Sequence, residues 1–153
     1  MDNKIIRCIL APLTDGNILL PNTAVAELLS FTMPERLKKA PGWVLGELVW
    51  KGWQVPVVSY EFLFNDNDRN TVTSKTRILI IKTLGESTQV NYIGLVIQGL
   101  PKLKKVSMNS LIESQTEDLP EAVFSRVSID GLHAVIPELG SLTRIVEQAA
   151  YGD

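Results

Sequence analysis

The pair Lys51-Gly52 constrains the fold of this chain more than any other sequence feature. It separates two apolar runs, residues 46–50 and residues 53–60. A two-residue connection is the commonest link between antiparallel strands, and glycine accepts the positive φ that so tight a turn demands. The spacing therefore predicts a β-hairpin centred on Lys51-Gly52.

Three further pairs of short apolar runs flank turn residues in the same way. They are residues 5–10 with 17–20, 77–83 with 90–98, and 125–129 with 132–136, and residues 102–108 predict one more strand. Short strands at regular spacing are typical of a mainly β protein. Closing such sheets removes the free edges that would invite aggregation, so we expect small closed sheets.

One long polar stretch interrupts the strand pattern at residues 65–75. It begins Asn65-Asp66-Asn67-Asp68 and offers almost nothing to bury, which predicts an exposed loop between two β-rich halves. Its Asp/Asn alternation does not make a calcium loop, because the glycine and the final glutamate of an EF-hand are missing.

Helical patterns are scarce in this sequence. Near the C-terminus, Leu142, Ile145, Val146 and Ala149 are spaced i, i+3, i+4 and i+7 after Ser141, which predicts a helix capped by Ser141. Residues 22–29 could also form a helical turn, with Asn22 as their candidate cap and apolar residues on one face, but the β-rich surroundings compete with that local preference.

The composition excludes several chemistries. The 153 residues contain one Cys and one His, too few for an internal disulfide or a Cys/His zinc site. Phosphate-binding loops, dinucleotide fingerprints and nucleophile elbows are missing. We therefore expect no catalytic, cofactor-binding or metal-binding residues, with Cys8 as a small buried side chain and His133 on the surface.

The charge balance also limits the partners. With 15 Lys+Arg against 17 Asp+Glu the net charge is −2, which argues against nucleic-acid binding. The basic clusters at residues 36–39 and 102–105 are interpreted as solvated faces, because acidic residues of opposite sign occur elsewhere along the chain. The apolar runs are too short for a signal peptide or a membrane span, so we expect a cytoplasmic protein without direct membrane insertion.

The three tryptophans, Trp43, Trp50 and Trp53, cluster around the predicted hairpin. On alternating strands, Trp50 lies on one side with Leu48, and Trp53 faces the same way as Val55. Two indoles beside a two-residue turn place at least one of them near the surface. They either fill the core or form an aromatic contact for a partner protein, since tryptophan is enriched at interface hot spots.

Residues 41–60 carry a distinctive pattern around this hairpin. Its members are Gly46, Gly52, Val55, Pro56, Val57 and Val58. In this segment the sequence resembles the CheW-like family, adaptors that couple chemoreceptors to a sensor histidine kinase. Residues 24–28, 77–83, 92–99 and 130–142 resemble further family segments in the same order.

Two departures from the family pattern bear on function. Lys51 stands where the family has Arg, and Ser59-Tyr60 stand where it has Asp-Leu. Lysine keeps the positive charge but lacks the planar fork that binds carboxylates with two parallel bonds. The resemblance therefore implies a divergent adaptor, for example a ChpC-like protein of a type IV pilus system for twitching motility.

The resemblance implies a fold and a domain organisation. The fold is mainly β, with two five-stranded SH3-like barrels sharing a hydrophobic core and a C-terminal helix. Residues 1–153 would form a single CheW-like domain of two intertwined barrel subdomains with an exposed loop around 65–75. Pro56 cannot donate a backbone hydrogen bond, so its strand is expected at a sheet edge or with a bulge.

The resemblance also implies a function without catalysis. The protein would couple a methyl-accepting chemoreceptor to the regulatory domain of a CheA-type histidine kinase, and would be recruited to membrane-bound receptor arrays. The expected partner-binding residues are Val25, Glu27, Trp50, Lys51, Gly52 and Trp53. Lys51→Glu and Trp50→Ala are expected to weaken partner binding and to leave folding largely intact.

Two other classes of function stay open at this stage. The chain could be an unrelated small β-barrel module that binds a ligand or an oligonucleotide. It could also be a small enzyme that uses carboxylates such as Glu27 and Glu61, although the sequence shows no pairing of them at a usable spacing.

Overall fold

The chain folds into two β-sheets and a C-terminal helix. The computed structural model describes residues 4–64, 72–84, 89–107, 109, 111–115 and 118–152, with backbone alone at 114 and 115. The strands are β1 (Ile5–Pro12), β2 (Asn17–Pro21), β3 (Val25–Ser30), β4 (Val44–Trp50), β5 (Trp53–Val58), β6 (Arg77–Lys82), β7 (Tyr92–Ile97), β8 (Lys102–Ser107), β9 (Ile112–Gln115), β10 (Val123–Ile129) and β11 (Leu132–Pro137). A 3-10 turn covers Asn22–Ala24, and helix α1 covers Leu139–Tyr151.

The two sheets take their strands from different parts of the chain. The first sheet has the order β8-β1-β2-β11-β10-β9, and the second has the order β3-β6-β7-β5-β4. Parallel pairing of β2 with β11 joins the start of the chain to its end. The expected division into two sequential halves is therefore wrong, because the segment 65–75 connects two strands of the same sheet. Its residues 65–71 lie outside the described residues.

The mainly β fold and the four hairpins are confirmed. Each predicted pair of strands is antiparallel and adjacent: β1 with β2, β4 with β5, β6 with β7, and β10 with β11. The strand expected at 102–108 is β8, with residue 108 outside the described part. Strand β9 was not predicted, and it gives the first sheet six strands where five were expected. Ile112 is its one apolar residue, so no alternation indicated it.

The helical turn considered for residues 22–29 is limited to Asn22–Ala24, and the competing β structure takes the rest. Asn22–Ala24 form a 3-10 turn that begins at Pro21 without a side-chain cap, and the next residues form strand β3. In that strand Leu28 pairs with Leu79 of β6, and Leu29 packs against a buried cluster of the second sheet. Pairing with β6 satisfies the backbone groups along the strand, which overrides the local helical preference.

The C-terminal helix is confirmed, but its predicted cap is wrong. Leu142 and Val146 are buried as their spacing predicted. The cap is Glu138, whose carboxylate accepts hydrogen bonds from the backbone N–H groups of Gly140 (3.2 Å) and Ser141 (2.8 Å). Ser141 instead donates its hydroxyl to the same carboxylate. The glutamate side chain is long enough to fold back onto the first turn.

The cap makes the stability of the helix depend on pH. The hydroxyl and backbone bonds from Ser141 hold the pKa of Glu138 below its ordinary value of 4.5. A lowered pKa means that the ionised cap stabilises the fold above that value and loses its effect as the pH falls. Glu138→Gln should therefore cost about 1 kcal/mol at neutral pH, and this difference should shrink in acid.

Thermal unfolding of both proteins from neutral pH down to about pH 3.5 measures this difference. Glu113→Gln, an exposed carboxylate on β9, is the matched control and should follow the parent throughout. A constant gap between Glu138→Gln and the parent across the range would contradict the role of the charge.

Both sheets and the helix share one core. Buried side chains from the first sheet (Ile18, Leu20), the second sheet (Leu79, Leu95) and the helix (Leu142) belong to a single cluster. Two smaller clusters fill the inner faces of the individual sheets. The shared cluster fixes how the sheets pack, since burial of apolar side chains is the main force holding them together.

The predicted burial of Cys8 is confirmed. Cys8 is 7% exposed and belongs to the cluster inside the first sheet. Burial raises the pKa of its thiol, which keeps the side chain protonated and apolar.

A backbone bridge between Glu35 and Glu47 closes the second sheet. Glu35 N–H donates to the Glu47 carbonyl, and Glu47 N–H donates to the Glu35 carbonyl, both at 2.8 Å. Glu47 belongs to β4, the last strand of the sheet, and Glu35 lies on the segment that leaves β3, the first strand. The bridge therefore joins the two ends of the sheet into a barrel, and we call this junction the seam.

Gly46 makes the seam possible. A Cβ on this residue would lie 2.2 Å from the Glu35 carbonyl oxygen, and its φ is +146°. Both the space and the backbone angle exclude any other residue. A register shift between Val44 and Gly46 accompanies this angle.

The expected edge position of Pro56 is wrong. Strand β5 lies between β7 and β4, with Pro56 opposite Glu47. The backbone N–H and carbonyl of Glu47 both form their hydrogen bonds with Glu35, so Glu47 needs no hydrogen bond from Pro56. On the other side the parallel register with β7 begins only at Val57. The proline is thus tolerated inside the sheet, and the bulge lies in the neighbouring strand β4.

Gly46→Ala should destabilise the protein by about 3 kcal/mol, because it adds an overpacked Cβ and a strained φ to the seam. Urea unfolding measures the change. Gly42→Ala is the control, since a Cβ there meets nothing within 4 Å and no positive φ is involved. Equal stability of the two variants would show that the seam does not depend on Gly46.

Candidate protein-interaction site

The turn between β4 and β5 has the geometry that its sequence predicts. Lys51 and Gly52 both have positive φ, +49° and +83°, and Trp50 pairs directly with Trp53 across the turn. Two successive positive angles match the right-handed twist of the flanking strands. A Cβ on Gly52 would meet nothing within 4 Å, so glycine is needed there for its backbone angle and not for space.

Tyr92 holds the two tryptophans of this hairpin. Its ring lies 4.9 Å from that of Trp50 and 5.5 Å from that of Trp53, both in edge-on contact. Trp50 is half-buried and packs against the cluster inside the second sheet, whereas Trp53 is 43% exposed. One tryptophan therefore anchors the turn and the other is presented to solvent, as the sequence predicted for at least one indole.

A charged pair lies beside these rings. Lys51 Nζ is 3.4 Å from Glu27 Oε1 and 5.1 Å from the centre of the Trp50 ring. Glu27 belongs to β3 and Lys51 follows β4, so the pair crosses the same seam that Glu35 and Glu47 close. The side chain of Lys51 is 67% exposed and that of Glu27 is 38% exposed, and a pair so open to solvent contributes only about 0–1 kcal/mol to stability.

These five residues form the hairpin-end surface: Glu27, Trp50, Lys51, Trp53 and Tyr92. The structure brings four of the six expected partner-binding residues onto it. Gly52 supports it through the turn. Val25 packs against the shared core, on the far side of a register shift between Val25 and Glu27.

Tyr92 was not predicted as part of this site. It reaches the tryptophans because β7, which Tyr92 begins, pairs in parallel with β5. Such a pairing joins strands that are distant along the chain, so no local pattern shows it. The alternation of Tyr92 with Gly94 and Val96 could have indicated only that Tyr92 faces the barrel interior.

The two carboxylates considered for an enzyme have separate structural partners. Glu27 pairs with Lys51, and Glu61 accepts the backbone N–H groups of Thr14 and Asp15, each at 3.0 Å. Glu61 thereby fixes the turn between β1 and β2. It also lines a cleft of about 340 Å³ together with Tyr60, Phe64, Arg126 and His133.

His133 has the surface position that the sequence predicted. His133 and Leu132 are exposed, whereas the next residue, Ala134, is buried. Across the part of the chain that the structure describes, no three side chains of His, Cys, Asp or Glu are grouped so that they could hold a metal ion. Nor does that part contain a helix long and apolar enough to span a bilayer.

Comparison with known proteins identifies the fold family. The family model described as "CheW-like domain" matches residues 7–147. The chain belongs to the CheW-like family. The seam, the tryptophan hairpin and most of helix α1 lie within the matched residues.

A solved CheW structure has the same fold. The scaffolding protein TtCheW from Thermoanaerobacter tengcongensis superposes with a TM-score of 0.73 at 17% sequence identity, over 91% of this chain and 88% of that one. The CheW-like arrangement of two curled sheets as SH3-like barrels is thus confirmed. No curated protein matches this CheW-like sequence.

The two tryptophans should differ in their effect on stability. Trp50→Ala removes a ring packed inside the barrel and should cost about 3 kcal/mol, whereas Trp53→Ala should cost about 1 kcal/mol or less. Chemical denaturation of both variants tests this difference. Equal losses would show that Trp53 is as structural as Trp50.

This contrast changes the choice of variant for binding experiments. Trp50→Ala was expected to leave folding largely intact, but the packing of its ring makes it a test of stability. Trp53→Ala is the cleaner test of binding.

Proposed function

We propose that this CheW-like protein is a non-catalytic adaptor that couples a methyl-accepting chemoreceptor to the regulatory domain of a CheA-type histidine kinase. The observation that carries the proposal is the hairpin-end surface, where the partly exposed Trp53 indole and the Lys51–Glu27 ion pair lie side by side at a tight turn. Family membership supports the kind of partner, because CheW-like proteins are scaffolds of chemotaxis signalling.

The hairpin-end surface has the properties of a protein contact. Trp53 supplies apolar area that costs little conformational entropy to immobilise, since Tyr92 already holds its ring. Lys51 and Glu27 supply charges of both signs at the rim, which set orientation and partner choice more than affinity. The ion pair between Lys51 and Glu27 contributes little to stability. Lys51 can therefore leave Glu27 and bind a partner's carboxylate with little loss of free energy.

We assign the receptor to the hairpin-end surface and the kinase regulatory domain to one of the barrels. Lys51 can bind a receptor carboxylate with a single charged donor, whereas the family's arginine would bind it with two. This difference supports a receptor other than the ordinary one, such as that of a type IV pilus system for twitching motility. Binding to the receptor would recruit the protein to membrane-bound arrays.

Charge reversal at the turn tests the assignment. Lys51→Glu should weaken binding to a soluble receptor signalling fragment about tenfold, because it sets a like charge against the receptor carboxylate. Trp53→Ala should weaken the same binding about tenfold, because it removes the apolar contact. Binding to the kinase regulatory domain should change less than twofold. Calorimetric titration of each purified partner, taken from the same genome, measures both.

Two control variants separate polarity from stability. Lys75→Glu reverses an exposed charge that is not part of the hairpin-end surface, and this variant should bind the receptor fragment as the parent does. The double variant Glu27→Lys/Lys51→Glu restores an ion pair with opposite polarity, and it should still bind the receptor fragment poorly. Unchanged receptor affinity in Lys51→Glu and Trp53→Ala would place the receptor contact elsewhere.

A further inference from the structure

The outer face of the β1–β8 pair carries a second unusual surface. Arg7 of β1 lies directly opposite Lys105 of β8. Their neighbours Cys8 and Val106 point into the first sheet's buried cluster. Because side chains alternate between faces, Arg7 and Lys105 point outward on the same side of the sheet.

This like-charged pair is unfavourable for the fold. Like charges directly opposite each other on neighbouring strands destabilise a sheet. Among the described residues neither Arg7 nor Lys105 forms an ion pair, and both are exposed. Lys104, on the other face, does pair with Asp130 at 3.5 Å.

Protection of the sheet edge does not explain the pair. Lysines on an edge strand discourage pairing with other chains, and β8 is an edge strand. Arg7, however, belongs to β1, which lies between β8 and β2 and has no free edge. The charge on β1 therefore needs another reason.

Apolar side chains flank the basic pair on the same face. Leu103, two residues before Lys105, is 61% exposed, and Ile5, two residues before Arg7, is 62% exposed. Because β1 and β8 run antiparallel, these two residues lie on opposite sides of the pair. Residues two apart on a strand are separated by about 7 Å. On this face the basic pair therefore lies between two apolar side chains. We call Ile5, Arg7, Leu103 and Lys105 the outer patch.

We propose that the outer patch binds a segment of a partner protein in which an acidic residue is flanked by apolar residues about 7 Å away on each side. The carboxylate would lie between Arg7 and Lys105 and relieve their repulsion, while the flanking groups would cover Leu103 and Ile5. The patch belongs to the first sheet, whereas the hairpin-end surface belongs to the second.

The chemistry of the patch favours a protein over other polyanions. Its two central charges are bounded by apolar groups, whereas a nucleic acid needs a continuous basic track with aromatic platforms. Attraction to an anionic membrane grows with each added basic residue and calls for a larger cluster than this one. An acidic protein segment matches both the charge and the apolar flanks.

A pair of synthetic peptides tests the proposal. One is an extended, end-capped peptide with a glutamate flanked by leucines at i−2 and i+2, and the other has glutamine in place of the glutamate. Titration of the isotope-labelled full chain should shift the backbone amide resonances of β1 and β8 with the glutamate peptide. The glutamine peptide should bind about tenfold more weakly.

Matched double variants provide the control. Arg7→Glu/Lys105→Glu should lose affinity for the glutamate peptide about tenfold or more. Arg36→Glu/Lys38→Glu changes the same net charge at another exposed cluster and should bind as the parent does. Equal affinity for both peptides, or equal loss in both double variants, would overturn the proposal.

A single variant gives a signature that a structural role would not produce. Arg7→Glu converts the like-charged pair into an opposite-charged one and should raise Tm by about 1 to 3 °C while weakening peptide binding. A fall in Tm would show that Arg7 and Lys105 do not destabilise the free protein, and would overturn the proposal. Tighter binding of phosphatidylglycerol vesicles or a single-stranded oligonucleotide than of the glutamate peptide, lost in Arg7→Glu/Lys105→Glu, would replace the protein partner by that polyanion.

Discussion

The two hydrogen bonds between Glu35 and Glu47 are the constraint on which the second barrel depends. They join the segment after β3 to β4, the strand at the opposite end of the sheet, and they require Gly46 to have no Cβ. Closure shields the inner face from solvent, so Val55, Val57 and Ile80 are fully buried, and Trp50 packs against this buried cluster. The Glu27–Lys51 pair crosses the same seam. A substitution at Gly46 that disrupts the seam would therefore also disturb the hairpin-end surface, because the backbone connects the two.

The two proposed surfaces illustrate different uses of weak electrostatics. On the hairpin-end surface opposite charges meet across a seam and contribute little to stability, which leaves them available to a partner. On the outer patch, Arg7 and Lys105 repel each other, so the free protein carries a small cost that a bound carboxylate would remove. In both places apolar side chains beside the charges supply the area that binding requires.

The hairpins were predictable because a turn is a local event. Lys51-Gly52 specified its hairpin through two positive φ angles, and the alternation of the flanking strands placed Trp50 and Trp53 correctly. Predictions failed where a distant segment decided the outcome. Pairing with β6 made a strand of residues that prefer a helix, and Glu35 made an interior position tolerable for Pro56. The helix cap moved to Glu138 because a long side chain can fold back over a whole turn.

Local chemistry was thus sufficient for the β class, the turns, the C-terminal helix and the charged and aromatic residues at the tip of the hairpin. The pattern around Gly46 and Gly52 was sufficient to indicate the CheW-like family. Only packing decided which strands became neighbours, and hence that Tyr92 holds Trp53, that Glu27 meets Lys51 and that Arg7 faces Lys105. The physical reason is that turns depend on the φ and ψ of a few residues. The neighbours of a strand, in contrast, depend on which buried surfaces of the whole chain fit together.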